Sequence, residues 1–247
     1  GASQSMRDLF HAIERAARCD LPVVISGGTG TGKETAARAI HASSIRGDGP
    51  FVTLNCTALT AQQLQAEIDT FATPVPTGIG NDQRGYTDGN AGGTLFLDEA
   101  SELPSEAQRT LLRFLDDVDG FQSRSGTRTW RDIRLVCATK KDLEKLAHNG
   151  EFLLDLYYRL RALAIEVPSL KNRQSDVRIL AQHFLEEFRL NDNSLATGFS
   201  RDALTAIEQY GWPGNVRELR NRIHQAALCS RAAFITPGDL RLAHDSR

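Results

Sequence analysis

The chain has 247 residues, 40% hydrophobic and 24% charged, a globular composition for one large or two small domains that excludes intrinsic disorder and collagen. Lys and Arg number 29 against 31 Asp and Glu, a formal net charge of -2, so bulk charge draws the chain to neither nucleic acid nor anionic lipid. No apolar run approaches the roughly 20 residues that span a bilayer and no signal-peptide pattern opens the chain, so the expectation is a soluble, intracellular, cytoplasmic protein without a membrane partner.

Met6, Leu9, Phe10, Ile13 and Ala17 recur at helical spacing and predict an amphipathic helix from Met6 to Ala17. Leu21 to Ser26, with β-branched Val23, Val24 and Ile25, reads as a buried strand that stops at the turn Gly27-Gly28-Thr29-Gly30-Thr31-Gly32. Further apolar runs at Phe51 to Leu54, Thr94 to Leu97, Ile133 to Ala138 and Ala164 to Val167, with helical patterns between most of them, predict a mostly parallel, three-layer α/β/α sheet. The stretch Thr73 to Gly93, rich in Pro and Gly, is too long for an idle connection and reads as an irregular functional insertion. After Pro168 the strands are expected to end. Asp176 to Arg189, Ser200 to Gln209 and Asn215 to Ala232 read as helices, with Ser200 as an N-cap and Leu204 and Ile207 facing inward. Cys19, Cys56, Cys137 and Cys229 show neither a C-x-x-C pair nor zinc spacing and read as reduced core thiols.

Gly27 to Lys33 matches G-x-x-x-x-G-K between a predicted strand and a predicted helix, the context of a phosphate-binding loop. Backbone N–H groups of Gly28, Thr29, Gly30, Thr31 and Gly32 would cradle phosphates at the helix N-terminus while the Lys33 ammonium neutralises their oxygens. Glu34 stands where Ser or Thr usually helps hold Mg²⁺, which leaves water or Thr35 for that task. Further on, Gly93-Thr94-Leu95-Phe96-Leu97-Asp98-Glu99 is a strand ending in two carboxylates, at the end of an open sheet where ligands bind. Asp98 suits Mg²⁺ held through its water shell, and Glu99 suits a base for the attacking water. Alone, the two acids would read as a solvated turn; with Lys33 they do not.

Four segments, Gly27 to Glu34, Gly92 to Glu99, Asp155-Leu156-Tyr157-Tyr158-Arg159-Leu160 and Trp212-Pro213-Gly214-Asn215-Val216-Arg217-Glu218-Leu219, resemble in order the AAA+ domain of bacterial enhancer-binding proteins, the sigma-54-dependent transcription activators. The resemblance covers essentially the whole chain, and Glu34 is what this family carries after its loop lysine. It implies an α/β P-loop NTPase subdomain over residues 1–170, an all-helical lid over 171–247, and ATP with Mg²⁺ as cofactors. By position, Asn55 resembles the switch asparagine that holds Glu99 away from water; its plainer reading is a cap at a strand end. Arg217 resembles the lid arginine that reaches the phosphates of its own subunit; its plainer reading is a solvated helix arginine paired with Glu218 or a neighbour. Arg159 resembles an arginine finger that completes the neighbouring subunit's site, which implies self-association into a ring, a hexamer in this family. The implied partners are RNA polymerase holoenzyme and, through a helix-turn-helix domain outside this chain, DNA.

The chain also departs from the family. An ungapped count from Glu67 to Ala91 sets Pro74-Val75-Pro76-Thr77-Gly78-Ile79 against the signature loop G-A-F-T-G-A, so the aromatic contact to the sigma factor becomes Pro76 and the loop is expected to be stiffer. Leu153 replaces the family's first arginine finger. Lys140 replaces the sensor asparagine that follows Ala138-Thr139, with Thr139 kept among the nucleotide-contacting candidates. Weak hydrolysis with retained binding is the expectation. Arg124, Arg128, Arg131 and Arg134 form a basic stretch, read as a DNA or second-messenger patch or, more plainly, as a solvated loop. Two functions remain open. One is a ring-forming Mg-ATP binding module of a transcription regulator with ATPase activity intact or weakened; the other is a non-catalytic module sensing nucleotide or cyclic di-GMP without sigma-54.

Overall fold

The computed structural model describes residues 1–72, 93–122, 133–192, 195–230 and 232–242. Two compact units emerge, one of His11–Gly27 and Lys33–Glu166, the other of Gly1–Phe10, Gly28–Gly32 and Val167–Arg247.

The first unit is built on a parallel sheet. Its strands are β1 (Val23–Ser26), β2 (Phe51–Asn55), β3 (Gly93–Asp98), β4 (Ile133–Thr139) and β5 (Leu163–Glu166), in the order β2-β3-β4-β1-β5. Helices α2 (Lys33–Ala42), α3 (Ala61–Ala72), α4 (Ser105–Gln122), α5 (Leu143–His148) and α6 (Leu154–Leu160) alternate with these strands. A sheet covered on both faces needs continuous apolar strands. Accordingly β4 is buried along its whole length and β3 up to Asp98, whereas the edge strand β2 is only partly covered. Leu95, Leu97, Leu111, Leu135, Leu156 and Leu160 are central to the core against this sheet. The strands match the apolar runs of the sequence to within two residues at either end.

The register aligns the strand ends that matter. Asn55 lies opposite Asp98, and Ser26 opposite Thr139. The Gly27 N–H continues this ladder by donating to the Thr139 carbonyl at 3.2 Å. Four strand ends with chemistry-bearing residues thus share one edge of the sheet, the carboxyl edge where open α/β folds bind ligands.

Helix α1 (Gln4–Ala17) begins two residues before its predicted start, and buries Met6, Leu9, Ile13, Ala16 and Ala17. Phe10, counted in its apolar stripe, is instead 43% exposed, because the stripe is narrower than the spacing suggested. The basic stretch needs a larger correction. Arg134 is not on a solvated loop but inside β4, fully buried opposite Thr94. Its Nη2 donates to the Ala16 carbonyl at 2.6 Å in the last turn of α1, where a cation meets the negative end of the helix dipole. Among the described residues its Nε and Nη1 have no hydrogen-bond partner, and burial lowers its pKa from the usual arginine value. Arg124, Arg128 and Arg131 lie outside the described residues, as does the Pro74 to Ile79 stretch.

The second unit is helical, with α7 (Gln174–Asp192), α8 (Arg201–Gln209), α9 (Asn215–Cys229) and α10 (Pro237–Leu240). Ser200 caps α8 by accepting the Ala203 N–H at 3.1 Å; behind it Ile207 is fully buried and Leu204 partly so. Trp212 anchors the core, its indole N–H donating to the Ile207 carbonyl at 2.8 Å. Strand structure does not end at Pro168, however: β6 (Gly198–Phe199) and β7 (Phe234–Ile235) pair in parallel. Two residues per strand are too few to show a period in sequence. Helix α9 stops at Cys229 rather than Ala232, where Ser230 turns extended.

Candidate functional site

The glycine loop is held through its carbonyls. Val216 and Arg217 N–H groups, in the first turn of α9, donate to the Gly30 carbonyl at 2.9 and 3.3 Å. The Asn215 amide donates to the Thr29 carbonyl at 2.9 Å while its Oδ1 accepts the Leu170 N–H at 2.8 Å. Arg173, buried, donates to the Thr31 carbonyl at 2.8 Å, and Thr31 closes the turn on the Gly28 carbonyl through its hydroxyl at 2.9 Å. These carbonyls are engaged by residues of the loop's own compact unit, and the Thr31 N–H turns back on the Gly28 carbonyl at 3.4 Å.

Local conformation explains the residue choices. Gly30 has φ +75°, and a Cβ there would sit 2.3 Å from the Gly214 carbonyl oxygen and 2.9 Å from the Arg217 Cβ. Only glycine fits. Trp212 and Asn215 also have positive φ, 47° and 52°, so the Trp-Pro-Gly-Asn segment is a bent grip rather than a simple helix start. Arg217, exposed, has its backbone on this loop and forms no ion pair with Glu218, which instead binds Arg222 and the Gly214 N–H. Arg173 was not found from sequence, since a single arginine in a short turn carries no periodic or motif signal.

The acidic end of β3 is organised by lysines. Lys33, the first residue of α2 and 7% exposed, donates to the Gly27 carbonyl at 2.9 Å and stands 3.7 Å from Glu99 Oε1. Glu99 Oε2 accepts the Lys140 N–H at 3.3 Å, with Lys140 Nζ at 4.0 Å. Glu102, likewise unread in the sequence, pairs with Lys140 at 3.8 Å and Lys141 at 3.0 Å. Glu99 itself sits in the left-handed region, φ 56° and ψ 51°, a conformation that costs a non-glycine residue of order 1 kcal/mol or more and clusters at functional sites. Burial, and then the neighbouring Glu99 charge, raise the Asp98 carboxyl above its ordinary pKa against the opposing pull of Lys33. Burial and the same two carboxylates push the Cys56 thiol up to about 12, so it is a core thiol and no nucleophile.

Other candidates are placed elsewhere or otherwise engaged. Asn55 Oδ1 accepts the Thr57 N–H at 2.9 Å as the cap of a short turn, and among the described residues no hydrogen bond joins it to Glu99. Thr139 is buried, and its hydroxyl bridges the Lys141 main chain at 2.9 and 3.0 Å. Glu34 is exposed and pairs with Arg38 at 2.8 Å one turn along α2; Thr35 is also exposed. Arg159 pairs with Asp116 of α4. Leu153 packs against the core of the first unit, its N–H on Gln108 Oε1 at 2.8 Å, and offers no charge. Among the described residues no cluster of three or more His, Cys, Asp or Glu is placed to hold a metal unaided. Asp98, whose ionised form burial and the adjacent Glu99 disfavour, does suit a hydrated divalent cation that would offset both, with water and phosphate oxygens as the remaining ligands. No helix among the described residues is long and apolar enough to cross a membrane.

Residues 1–166 match the family described as the sigma-54 interaction domain, and residues 171–247 match the AAA+ ATPase lid domain. The transcriptional regulatory protein ZraR of Salmonella typhimurium is 40% identical over 243 residues, 98% of this chain and 55% of ZraR. The Nif-specific regulatory protein of Herbaspirillum seropedicae is 39% identical over 237 residues, 96% of this chain and 44% of that protein. The chain therefore spans about half the length of these relatives. The crystal structure of NtrX from Brucella abortus in complex with ATP superposes with a TM-score of 0.79 at 31% identity, covering 97% of this chain and 53% of NtrX. A Holliday junction branch migration motor from Thermotoga maritima, RuvB, shares the fold at 17% identity and TM-score 0.61.

Proposed function

Because the chain belongs to the sigma-54 interaction domain family and carries the AAA+ lid, we propose that it is the ATP-binding and ATP-hydrolysing module of a bacterial transcription regulator. The observation that carries this reading is the convergence of Lys33 and Glu99, 3.7 Å apart, with Asp98 at the adjacent end of β3. Residues 1–170 bind the nucleotide and 171–247 act as the lid. The amides of Gly28 to Gly32 and the Lys33 ammonium take the phosphates, with Glu34, Thr35 and Thr139 flanking them. Mg²⁺, when bound, neutralises phosphate charge, and Asp98 is the residue that holds it through water. Glu99 accepts a proton from water as the water oxygen attacks the γ-phosphorus; the bond to the ADP oxygen breaks and phosphate leaves. Arg217 senses the loss of that phosphate from a backbone position already fixed to Gly30. Arg159 leaves Asp116 to complete a neighbouring subunit's site in a ring, and Asn55 has to leave the Thr57 N–H that it caps before it can couple Glu99 to the nucleotide state.

ATP hydrolysis measured against protein concentration, for the parent and for E99A, tests this reading with nucleotide binding followed in parallel. Turnover that rises cooperatively with concentration and falls at least about 100-fold in E99A is expected. Binding without turnover at any concentration would favour the second reading, a nucleotide or cyclic di-GMP switch. The non-catalytic part of that alternative has its own support in Leu153, which packs against the core where the family carries a charged finger.

A further inference from the structure

We propose that Lys140 is a restraint on Glu99, a cation at the end of β4 that holds the carboxylate in the folded chain and limits the rate at which it can serve water. The inference rests on the reading that Glu99 is the base for ATP hydrolysis. Three observations carry it. Both Glu99 oxygens lie beside lysine ammonium groups: Oε1 faces Lys33 Nζ at 3.7 Å, and Oε2 faces Lys140 Nζ at 4.0 Å while accepting the main-chain N–H of the same residue at 3.3 Å. Lys140 is kept at this spot by Glu102, which draws its ammonium to 3.8 Å while Lys141 occupies the same Glu102 oxygen at 3.0 Å. Asn55, the residue expected to govern Glu99, is instead committed to the Thr57 N–H.

Charge decides between restraint and simple hydrogen bonding. An asparagine at position 140 offers a neutral amide to Glu99, whereas lysine adds a full positive charge that attracts the carboxylate wherever the side chain moves. A carboxylate flanked by two ammonium groups, at 3.7 and 4.0 Å, is drawn toward them by charge and is less available to a water. The Lys140 side chain is 44% exposed and Glu99 17%, so the hold is that of a partly solvated ion pair, small against the whole barrier and open to release. Lys140 acts through Glu99 and is therefore a positioning residue, in contact with no reacting atom.

The test compares ATP turnover and fluorescent-ATP binding for the full chain, K140N, K140M, K140R and K140M/E99Q. Exposure of the Lys140 side chain makes all of the single substitutions compatible with the fold. The expected result is a rise in kcat of about two- to five-fold in K140N and K140M, the scale of an exposed ion pair's hold on its partner. KM for ATP and the binding constant stay within about two-fold, K140R rises less than either neutral variant, and K140M/E99Q loses turnover. Unchanged or reduced kcat in K140N and K140M, with ATP still bound and E99A inactive, overturns the restraint and leaves the ATPase reading standing. A rise in kcat that survives E99Q overturns both, because Glu99 would then not be the base. Failure of the parent chain to bind ATP removes the nucleotide reading and the restraint with it.

Discussion

The glycine loop and the acidic end of β3 are held by different forces. The glycine loop is fixed by main-chain geometry: Gly30 accepts two N–H groups from α9, Thr29 and Thr31 accept from Asn215 and Arg173, and there is no room for a Cβ. The acidic end of β3 is fixed by charge, with lysine ammonium groups 3.0 to 4.0 Å from Glu99 and Glu102. Hydrogen bonds to carbonyls are directional and close-range, whereas ion pairs that involve the partly exposed Lys140 and Lys141 are softer and screened. The loop must therefore hold its shape whether or not a ligand is present. The acidic end can re-pair without disturbing the fold, which is what a group that must change partners during a reaction requires.

The largest expected effect breaks the rigid half. G30A places a Cβ 2.3 Å from a carbonyl oxygen at φ +75°, and should destabilise the chain by roughly 3–5 kcal/mol in urea unfolding. G32A is the matched control. Gly32 has φ +105° but nothing within 4 Å of the added Cβ, so only backbone strain acts and the loss should be about 1–3 kcal/mol. Equal losses at the two positions would mean that the grip of Gly214 and Arg217 on the loop is not tight. Next in size is N215A, which strips the partner from the buried Leu170 N–H and from the Thr29 carbonyl. About 2 kcal/mol is expected. N215G, which keeps the positive φ without the hydrogen bonds, should recover part of it.

The soft half and the rigid half were not equally legible in the sequence. The five strands and the loop announced themselves, because a buried parallel strand must be apolar throughout and a phosphate loop must be glycine-rich before a helix. Asp98 and Glu99 were legible for the same reason, as charges where an apolar run stops. What the sequence did not show was partnership. Asn55 reads as a switch by position, yet its side chain caps a turn two residues on. Arg134 reads as the last of four basic residues although it falls within the predicted strand Ile133 to Ala138, and its burial against the end of α1 carries no sequence signal. Arg173 carries no signal at all, although it holds Thr31. Pairings of this kind depend on which segments meet in space, and segments from Met6, Thr31 and Arg173 meet only once the helical unit has formed.

The smallest effects sharpen the comparison through two carboxylates of opposite character. Asp176, buried in the helical unit, is pushed up by burial but held below the ordinary range by the Ser3 hydroxyl and the Ala2 and Ser3 N–H groups. Its folded pKa is depressed, so its contribution is complete above the unfolded value of about 3.9 and is lost as pH falls through the lower folded value. D176N should cost about 1–2 kcal/mol at pH 7 and flatten the acid limb of the stability curve below about pH 4. Asp98 has the opposite sign. Its folded pKa is raised, so the stability linked to it is complete below about pH 4 and lost as pH rises through the folded value. In the absence of nucleotide and Mg²⁺, D98N should therefore unfold at a slightly higher urea concentration than the parent at pH 7, while losing Mg²⁺-dependent ATP binding. The carboxylate proposed for the metal would then be a liability that the unliganded fold tolerates, in contrast to the structural carboxylate, whose ionised form the fold requires. A lower unfolding midpoint for D98N at pH 7 would show that Lys33 holds Asp98 as firmly as Asp176 is held, and the division between a rigid and a soft half would fail.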